Sequence, residues 1–574
     1  MSARFRIREP SLALAAAAAT LALAAPTEPF REAAAESGLV FRHTNGAAGR
    51  YYMPEIMGSG VALFDYDNDG DLDVYLVQGR AVAGTSSPAG GNRLFRNGLV
   101  GPASSGVLHF TDVTDQAGVG VAAVGMGVAV GDIDNDGWRD LYVTNFGSNV
   151  LYRNNGNGTF TDVTAAAGVD DPRWSTSAAF LDYDRDGDLD LIVVNYVAFS
   201  VSGDKVCTDH AGARDYCPPG AYAPVPARLF RNDGSGTFTD VTVASGVSRG
   251  YGAGLAVAVG DFDRDGWPDI YVANDAMANQ VWMNQRNGTF EDRGFLSGAA
   301  VNAGGRPEGS MGIALGDPDN DGDDDLFITN IATETHAMYI NDGQGNFDDA
   351  RVRTGLAMST AEMTGFGTNW LDYDNDGRLD LIVGNGAVNI IERLRGQPVP
   401  YRQHNLLFHN EGQGTLRDVS EQAGSEFSRL DVARGLATGD VDNDGDVDVV
   451  IANNNAPVRL LLNQTTGGVG RTSGPGAHWI EVSLSASSGN RFAIGGRVGI
   501  VREGQPVLWR RVRTDGSYLS ANDDRIHVGL GTSDRVRAIE VEWPDGLRES
   551  FTGIAIDRMV SLERATGQHA TTPK

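Results

Sequence analysis

The chain has 574 residues, with 75 Asp plus Glu against 46 Lys plus Arg, for a formal net charge of −29. That balance excludes a nucleic-acid partner, because phosphate contacts need a basic surface. A hydrophobic content of 41% is enough for a large core and excludes intrinsic disorder.

In chain order, residues 1–24 read as a secretory signal peptide. Arg4, Arg6 and Arg8 form a basic start, Leu12 to Leu23 an apolar run, and Ala22-Leu23-Ala24 a small-x-small cleavage site. A buried N-terminal helix is the alternative. The run is too short for a comfortable membrane span, and nothing later in the sequence approaches one. The expectation is a monomeric, exported protein, secreted, periplasmic or on the cell surface, with no membrane insertion.

Between residues 26 and 463 the motif Asp-x-Asp-x-Asp-Gly-x-x-Asp recurs seven times in one frame. Its carboxylates are Asp65, Asp67, Asp69 and Asp73 in the first copy, then Asp132, Asp134, Asp136 and Asp140, then Asp182, Asp184, Asp186 and Asp190. The fourth and fifth copies supply Asp261, Asp263, Asp265 and Asp269, and Asp317, Asp319, Asp321 and Asp325. The last two supply Asp372, Asp374, Asp376 and Asp380, and Asp440, Asp442, Asp444 and Asp448. Side chains at alternate positions of a tight loop point at one centre, and glycine at position six permits the sharp turn. Converging carboxylates repel one another unless a hard cation sits between them, and calcium suits such an all-oxygen set. About seven structural Ca2+ ions are therefore expected, and they would roughly halve the net negative charge. The loops are not EF-hands, because position twelve is apolar (Leu76, Val143, Val193) where that motif needs a bidentate Glu. Apolar runs such as Val61-Ala62-Leu63-Phe64 before the loops and Leu141-Tyr142-Val143-Thr144 after them read as strands.

More than the loop repeats. Five residues beyond the ninth-position Asp stand Asn145, Asn195, Asn274, Asn330, Asn385 and Asn453, with Gln78 in the first copy. This series either lines the rim of a central channel, as a possible ligand face, or satisfies backbone groups at strand ends. A third strand follows, as in Asn149-Val150-Leu151-Tyr152-Arg153-Asn154, and a fourth, as in Phe160-Thr161-Asp162-Val163-Thr164. Four strands per repeat is the unit of a propeller blade. After the seventh motif Leu460-Leu461-Leu462-Asn463 gives a third strand but no fourth, whereas a lone copy of the fourth-strand pattern begins at Phe30. The phase predicts an all-β, seven-bladed propeller whose N-terminal strand completes the last blade, with a linear solenoid as the alternative.

On these motifs residues 30 to about 463 resemble the FG-GAP/VCBS calcium-loop repeats, also found in integrin α-subunit propellers. The resemblance implies that the Asp loops join the first and second strands of each blade on one face, with ligands more often on the opposite face. Within the third repeat, Cys207 and Cys217 stand close together in a long insertion. In an exported protein they are most simply a disulfide, with a metal site including His210 as the alternative.

Residues 464–476 read as a small-residue linker, 477–565 as a small β-sandwich-like domain and 566–574 as a tail. The smaller domain resembles the ASPIC/UnbV domain through Ile494-Gly495-Gly496-Arg497-Val498, Tyr518-Leu519-Ser520, Val528-Gly529-Leu530-Gly531 and Trp543-Pro544-Asp545-Gly546. The combined architecture resembles the cartilage acidic protein family, and UnbV-type relatives are associated with enediyne biosynthesis.

Catalytic patterns are sparse: there is no Gly-x-Ser-x-Gly elbow, HExxH or phosphate-binding glycine loop. Acids outside the loops such as Asp275 and Glu334 are candidates for paired-carboxylate chemistry, with ordinary polar loop residues as the alternative reading of each. The nine histidines are scattered, and His404 and His409 flank a strand on opposite faces. The resulting expectation is a calcium-binding adhesion or recognition module for a protein or carbohydrate ligand, without catalytic residues. Alternatives are an extracellular lyase or hydrolase with a pocket on the face opposite the loops, and a scaffold for an enediyne-type or surface complex.

Overall fold

In each repeat the chain zigzags through four antiparallel strands, and the first repeat illustrates why. Val61–Phe64 and Asp73–Leu76 are wholly buried, as expected for apolar strands covered on both faces. Arg93–Asn97 and then Phe110–Asp112 follow in register, with Phe95 opposite Asp112. The Phe-x-Asp-x-Thr pattern ends the blade by local chemistry. Phe110 is buried, while the Asp112 carboxylate accepts from the backbone N–H and the hydroxyl of Thr114 at 3.0 and 2.6 Å. The Thr114 hydroxyl in turn accepts the Leu94 N–H. An Asp closing its own turn in this way stops the strand and starts a helical turn, here Thr114–Ala117.

The computed structural model describes residues 28–83, 90–99, 107–465 and 477–569. The expected signal peptide, most of the expected linker and the last five residues lie outside the described residues. Among the described residues there are seven four-stranded sheets. The last is built from Ala433–Gly439, Asp448–Asn453, Arg459–Asn463 and, from the other end of the chain, Phe30–Glu32. Phe30 pairs with Asn463 and Glu32 with Leu461, so the ring is closed by an antiparallel pair of the chain's two ends. The architecture is all-β, a seven-bladed propeller followed by a smaller β domain.

The smaller domain has a three-stranded sheet centred on His478–Ser485 and a five-stranded sheet centred on Arg497–Val501 and Ala538–Glu542. Ile480, Val482, Ile500, Val528 and Val541 fill its interior, which is continuous with apolar residues of the second and third blades such as Ile133 and Leu189.

Nothing local in the sequence marks the contact between the two parts. Residues 514–521 leave the smaller domain and enter the central channel, where they hydrogen-bond to the first strands of all seven blades. Ala521 exchanges bonds with Val61 and Leu63, and Ser517 exchanges both backbone bonds with Ile313. Leu519 accepts from Val128 and its N–H donates to Ser177 Oγ. Val259 N–H donates to Asp515, Thr368 N–H donates to Ser517 Oγ, and Ser517 Oγ donates to Leu436. Gly60 and Gly127 make this approach possible: a Cβ at Gly60 would lie 2.0 Å from the Leu519 carbonyl oxygen, and one at Gly127 3.0 Å from Leu519 Cα.

Candidate functional site

Every acidic loop is folded by its own carboxylates. In the first, Asp65 accepts the N–H groups of Asp69 and Gly70 at 3.2 and 3.0 Å, and Asp69 accepts that of Asp71. The fourth residue, Asn68, and Gly70 take positive φ values of 56° and 94°, which glycine and Asn tolerate better than other residues. In five loops the fourth residue then reaches the next loop, among them Asn68, which donates to the Gly137 carbonyl at 2.9 Å, Asn375 to that of Gly445 at 3.1 Å, and Asn443 to Asp71 at 2.8 Å, which joins the last loop to the first.

The ninth-position carboxylates are buried brackets rather than free acids. Asp73 accepts from Tyr66 N–H with one oxygen and from Asn97 N–H with the other, at 2.9 and 2.7 Å. Asp140, Asp190, Asp269, Asp380 and Asp448 repeat the pair. In the fifth loop the second residue is Pro318, which has no N–H, and Asp325 Oδ2 is left buried without a partner. The asparagines that end the third strands are functional residues whose role the sequence does not state. Asn97, Asn154, Asn232, Asn284, Asn341, Asn410 and Asn463 donate a backbone N–H to this carboxylate. Each donates its side-chain amide to the second residue of the preceding blade's loop. Their signal was visible as an Asn recurring at the end of every third strand.

What remains is a set of carboxylate oxygens with nothing to bind. The third-position Oδ1 atoms of Asp67, Asp134, Asp184, Asp319, Asp374 and Asp442 are buried and unpartnered among the described residues. Triads such as Asp65, Asp67 and Asp73, or Asp182, Asp184 and Asp190, place one oxygen each within 4.8 Å of one another. Burial, reinforced by neighbouring carboxylates, pushes Asp182 up to about 7, Asp444 to about 8 and Asp325 to about 9. Acids held this way favour either protons or a cation between them. The donor set is all oxygen, dense and partly dehydrated, and it fits a hard divalent cation. In the sixth loop His409 joins the group: its Nδ1 lies 3.2 Å from Asp380, and that contact raises its pKa.

The six asparagines read either as a ligand face or as partners of backbone groups at strand ends are buried. Asn145, Asn274 and Asn453 donate their amides to carbonyls of their own turns, at Ser148, Ala278 and Pro457, and Asn385 donates to that of His404 at the far end of a long loop. Asn330 donates to Thr335, and Asn195 to Asp171 and Pro226. The channel mouth on that side is filled by the short helix Pro54–Met57 and covered by the third-repeat insertion, in which Cys207 and Cys217 form a disulfide. Tyr401 donates to Asp215 of this insertion at 3.1 Å, and Arg395 pairs with its Asp209 at 2.6 Å. Asp275 accepts the Tyr196 hydroxyl at 2.5 Å, and burial lifts it to about 6; Glu334 accepts the Gly309 N–H at 2.7 Å.

The loop face is covered by the smaller domain. Gly529 N–H donates to Asp372 at 3.1 Å, Arg511 pairs with Asp324 at 2.6 Å and Arg139 with Asp524 at 2.9 Å. A cleft of about 560 Å³ remains between this domain and the third to fifth loops. It lies on the loop face, whereas the sequence directed attention to the opposite face.

Fold and loops together define a repeat propeller of acidic hairpins with an appended β domain. The chain belongs to the FG-GAP-like repeat family, which matches residues 65–143, 132–193, 220–272, 261–328, 317–383 and 399–451, and residues 486–569 match the ASPIC and UnbV family. Cartilage acidic protein 1 of Mus musculus is 26% identical over 540 residues, 89% of this chain and 74% of the mouse protein. The Homo sapiens protein is 26% identical over 57% of this chain and 45% of its own length. Among solved structures, the BP39L lectin from Burkholderia pseudomallei aligns at 11% identity and TM-score 0.41, covering 71% of this chain and 96% of the lectin. An Agrocybe aegerita lectin that recognises non-reducing terminal N-acetylglucosamine aligns at 17% identity and TM-score 0.34, covering 63% of this chain and 79% of the lectin.

Proposed function

We propose that this protein is an exported recognition module for a protein or glycan, held rigid by calcium in its seven loops. The observation that carries the metal reading is the buried, unpartnered third-position oxygen present in six of the seven loops. Burying such an oxygen without a partner is costly, and a bound cation removes the cost. The ion would neutralise each loop and stiffen the hairpin between first and second strands, a structural role. Export is supported by the Cys207–Cys217 disulfide together with the basic and apolar N-terminal sequence. Among the described residues no helix is long and apolar enough to cross a membrane.

The test is calorimetry with and without a chelator. Saturating calcium raises the melting temperature by many degrees and titrates with a stoichiometry near seven; an unchanged melt in EDTA would remove the structural-calcium reading. A glycan array and a pull-down from secreted proteins, both with calcium present, then identify the class of ligand.

A further inference from the structure

The cleft between the smaller domain and the third to fifth loops has features that the loops themselves do not explain. Its propeller wall carries Arg185 and Trp267, and its other wall Arg497, Trp509, Trp543 and Arg548. At about 560 Å³ it falls within the roughly 300–1,000 Å³ range of small-ligand sites. Two indoles are half-buried, each with a guanidinium over its ring: Arg185 lies 5.3 Å from the Trp267 centroid and Arg497 4.9 Å from that of Trp509. Trp543 is buried with its Nε1 unpartnered.

The charge balance is unusual for so acidic a chain. Arg185 has no carboxylate partner among the described residues, and Arg548 and Arg497 share one, Glu542, at 2.9 and 3.8 Å. The other acids of the lining, apart from Asp515, are loop residues: Asp182, Asp261, Asp265 and Asp321. Once those carboxylates hold cations, the cleft is left with an excess of arginine. Asp515 is already engaged by the Val259 N–H at 2.6 Å.

We propose that this cleft binds an anionic oligosaccharide, with sugar rings against Trp267 and Trp509 and acidic groups on Arg185 and Arg548. The proposal rests on the recognition-module reading and on the calcium reading, because only filled loops leave the cleft positive. The indole surface left beside each guanidinium packs against the apolar side of a pyranose ring, and guanidinium groups match carboxylate or sulfate through paired N–H donors. The propeller wall is made of residues of the third to fifth loops and of the strand ends before them, so an acidic peptide would have only the outer strand Leu508–Arg511 of the smaller domain to pair with, and polyglutamate tests that occupant. Arg185 occupies the fourth position of its loop, where Asn68, Asn135, Asn320, Asn375 and Asn443 stand in five others. Its φ of 61° matches theirs, so the backbone there accommodates either residue, and the arginine side chain lies in the cleft lining over Trp267.

The test is titration calorimetry on the calcium-loaded full chain. The probes are an oligogalacturonide, a heparin hexasaccharide, neutral chitotriose and polyglutamate. One or both anionic saccharides bind, which tells carboxylate from sulfate recognition, and chitotriose does not. Arg185→Asn, which restores the residue found in the sister loops, and Trp267→Ala each weaken binding about tenfold or more with the melting temperature unchanged. Equal binding of chitotriose, preference for polyglutamate, or no binding of either anionic saccharide overturns the proposal. A ligand from the array that binds both variants at full strength overturns the cleft assignment and leaves the recognition-module reading standing. If calcium neither binds nor stabilises the protein, the calcium reading fails first and takes this one with it.

Discussion

The side-chain amide of Asn97 donates to the carbonyl of Val441 at 2.8 Å, joining the first blade to the loop of the last across 344 positions of sequence. The same amide reaches Leu72 of its own loop, while the Asn97 N–H holds the buried Asp73 carboxylate. One side chain thus ties a loop, a strand and the neighbouring blade together.

Replacing that amide leaves a buried carbonyl without a donor. Asn97→Leu therefore destabilises the fold by about 1–3 kcal/mol, measured by urea unfolding with calcium held constant. Asn232→Leu, which breaks the contact to Ile133, has a similar cost. A variant as stable as the parent would show that these bridges add nothing net.

Phe30 is buried in the last blade between Phe427 and Tyr373, with ring centroids 5.6 and 6.1 Å away. Phe30→Ala is expected to cost about 3–5 kcal/mol, the range for a large aromatic core residue. The loss appears in unfolding of the whole ring, since the strand it anchors closes the circle. Confinement of the effect to fraying of the N-terminus, seen by hydrogen exchange, would contradict this.

Tyr518 sits in the channel with its hydroxyl on the Met57 carbonyl at 3.1 Å and its ring 4.8 Å from that of Phe366. Phe366 in turn lies under the guanidinium of the fully buried Arg434. Because residues 514–521 bond to every blade, propeller and smaller domain should melt in one calorimetric transition. Tyr518→Ala should lower it by about 3–5 kcal/mol of stability. Two separate transitions in the parent, with the mutation touching only one, would refute the coupling.

His43 is buried, accepts the Asn455 N–H at 3.0 Å through Nδ1, and has its pKa lowered to about 3 by burial and by the charge of Arg434. In the unfolded chain it titrates near 6.5. Between those values the unfolded state binds a proton that the fold refuses, so stability falls as pH drops below 6.5. One such histidine contributes a slope of about 1.4 kcal/mol per pH unit. His43→Asn keeps an acceptor for Asn455 and removes the proton, so the acid-side slope of stability against pH becomes shallower by one proton. An identical slope would place the acid sensitivity elsewhere.

The acidic loops, the four-strand blade and the borrowed strand at Phe30 were all legible because each is a local pattern repeated in phase. A period-two strand, a glycine needing positive φ and an Asp closing its own turn leave marks within a dozen residues. Gly127 sits inside the buried strand Val124–Gly131 and Gly60 directly before Val61–Phe64, but nothing within a dozen residues says why either position needs glycine. The third-strand asparagines were also on view, but their partners belong to the preceding blade, and no local rule connects Asn97 to Val441.

By itself, the sequence determined the repeat, the blade count, the closure of the ring and the clustering of acids in the loops. Those follow from spacing and from the repulsion of clustered carboxylates, both of which are properties of neighbouring residues. Only the tertiary structure decided that residues 514–521 fill the channel, that the Cys207–Cys217 insertion covers its other mouth, and that a cleft rich in arginine and tryptophan stands above the loops. Those depend on contacts between segments hundreds of residues apart, where shape and backbone hydrogen bonds choose the partner.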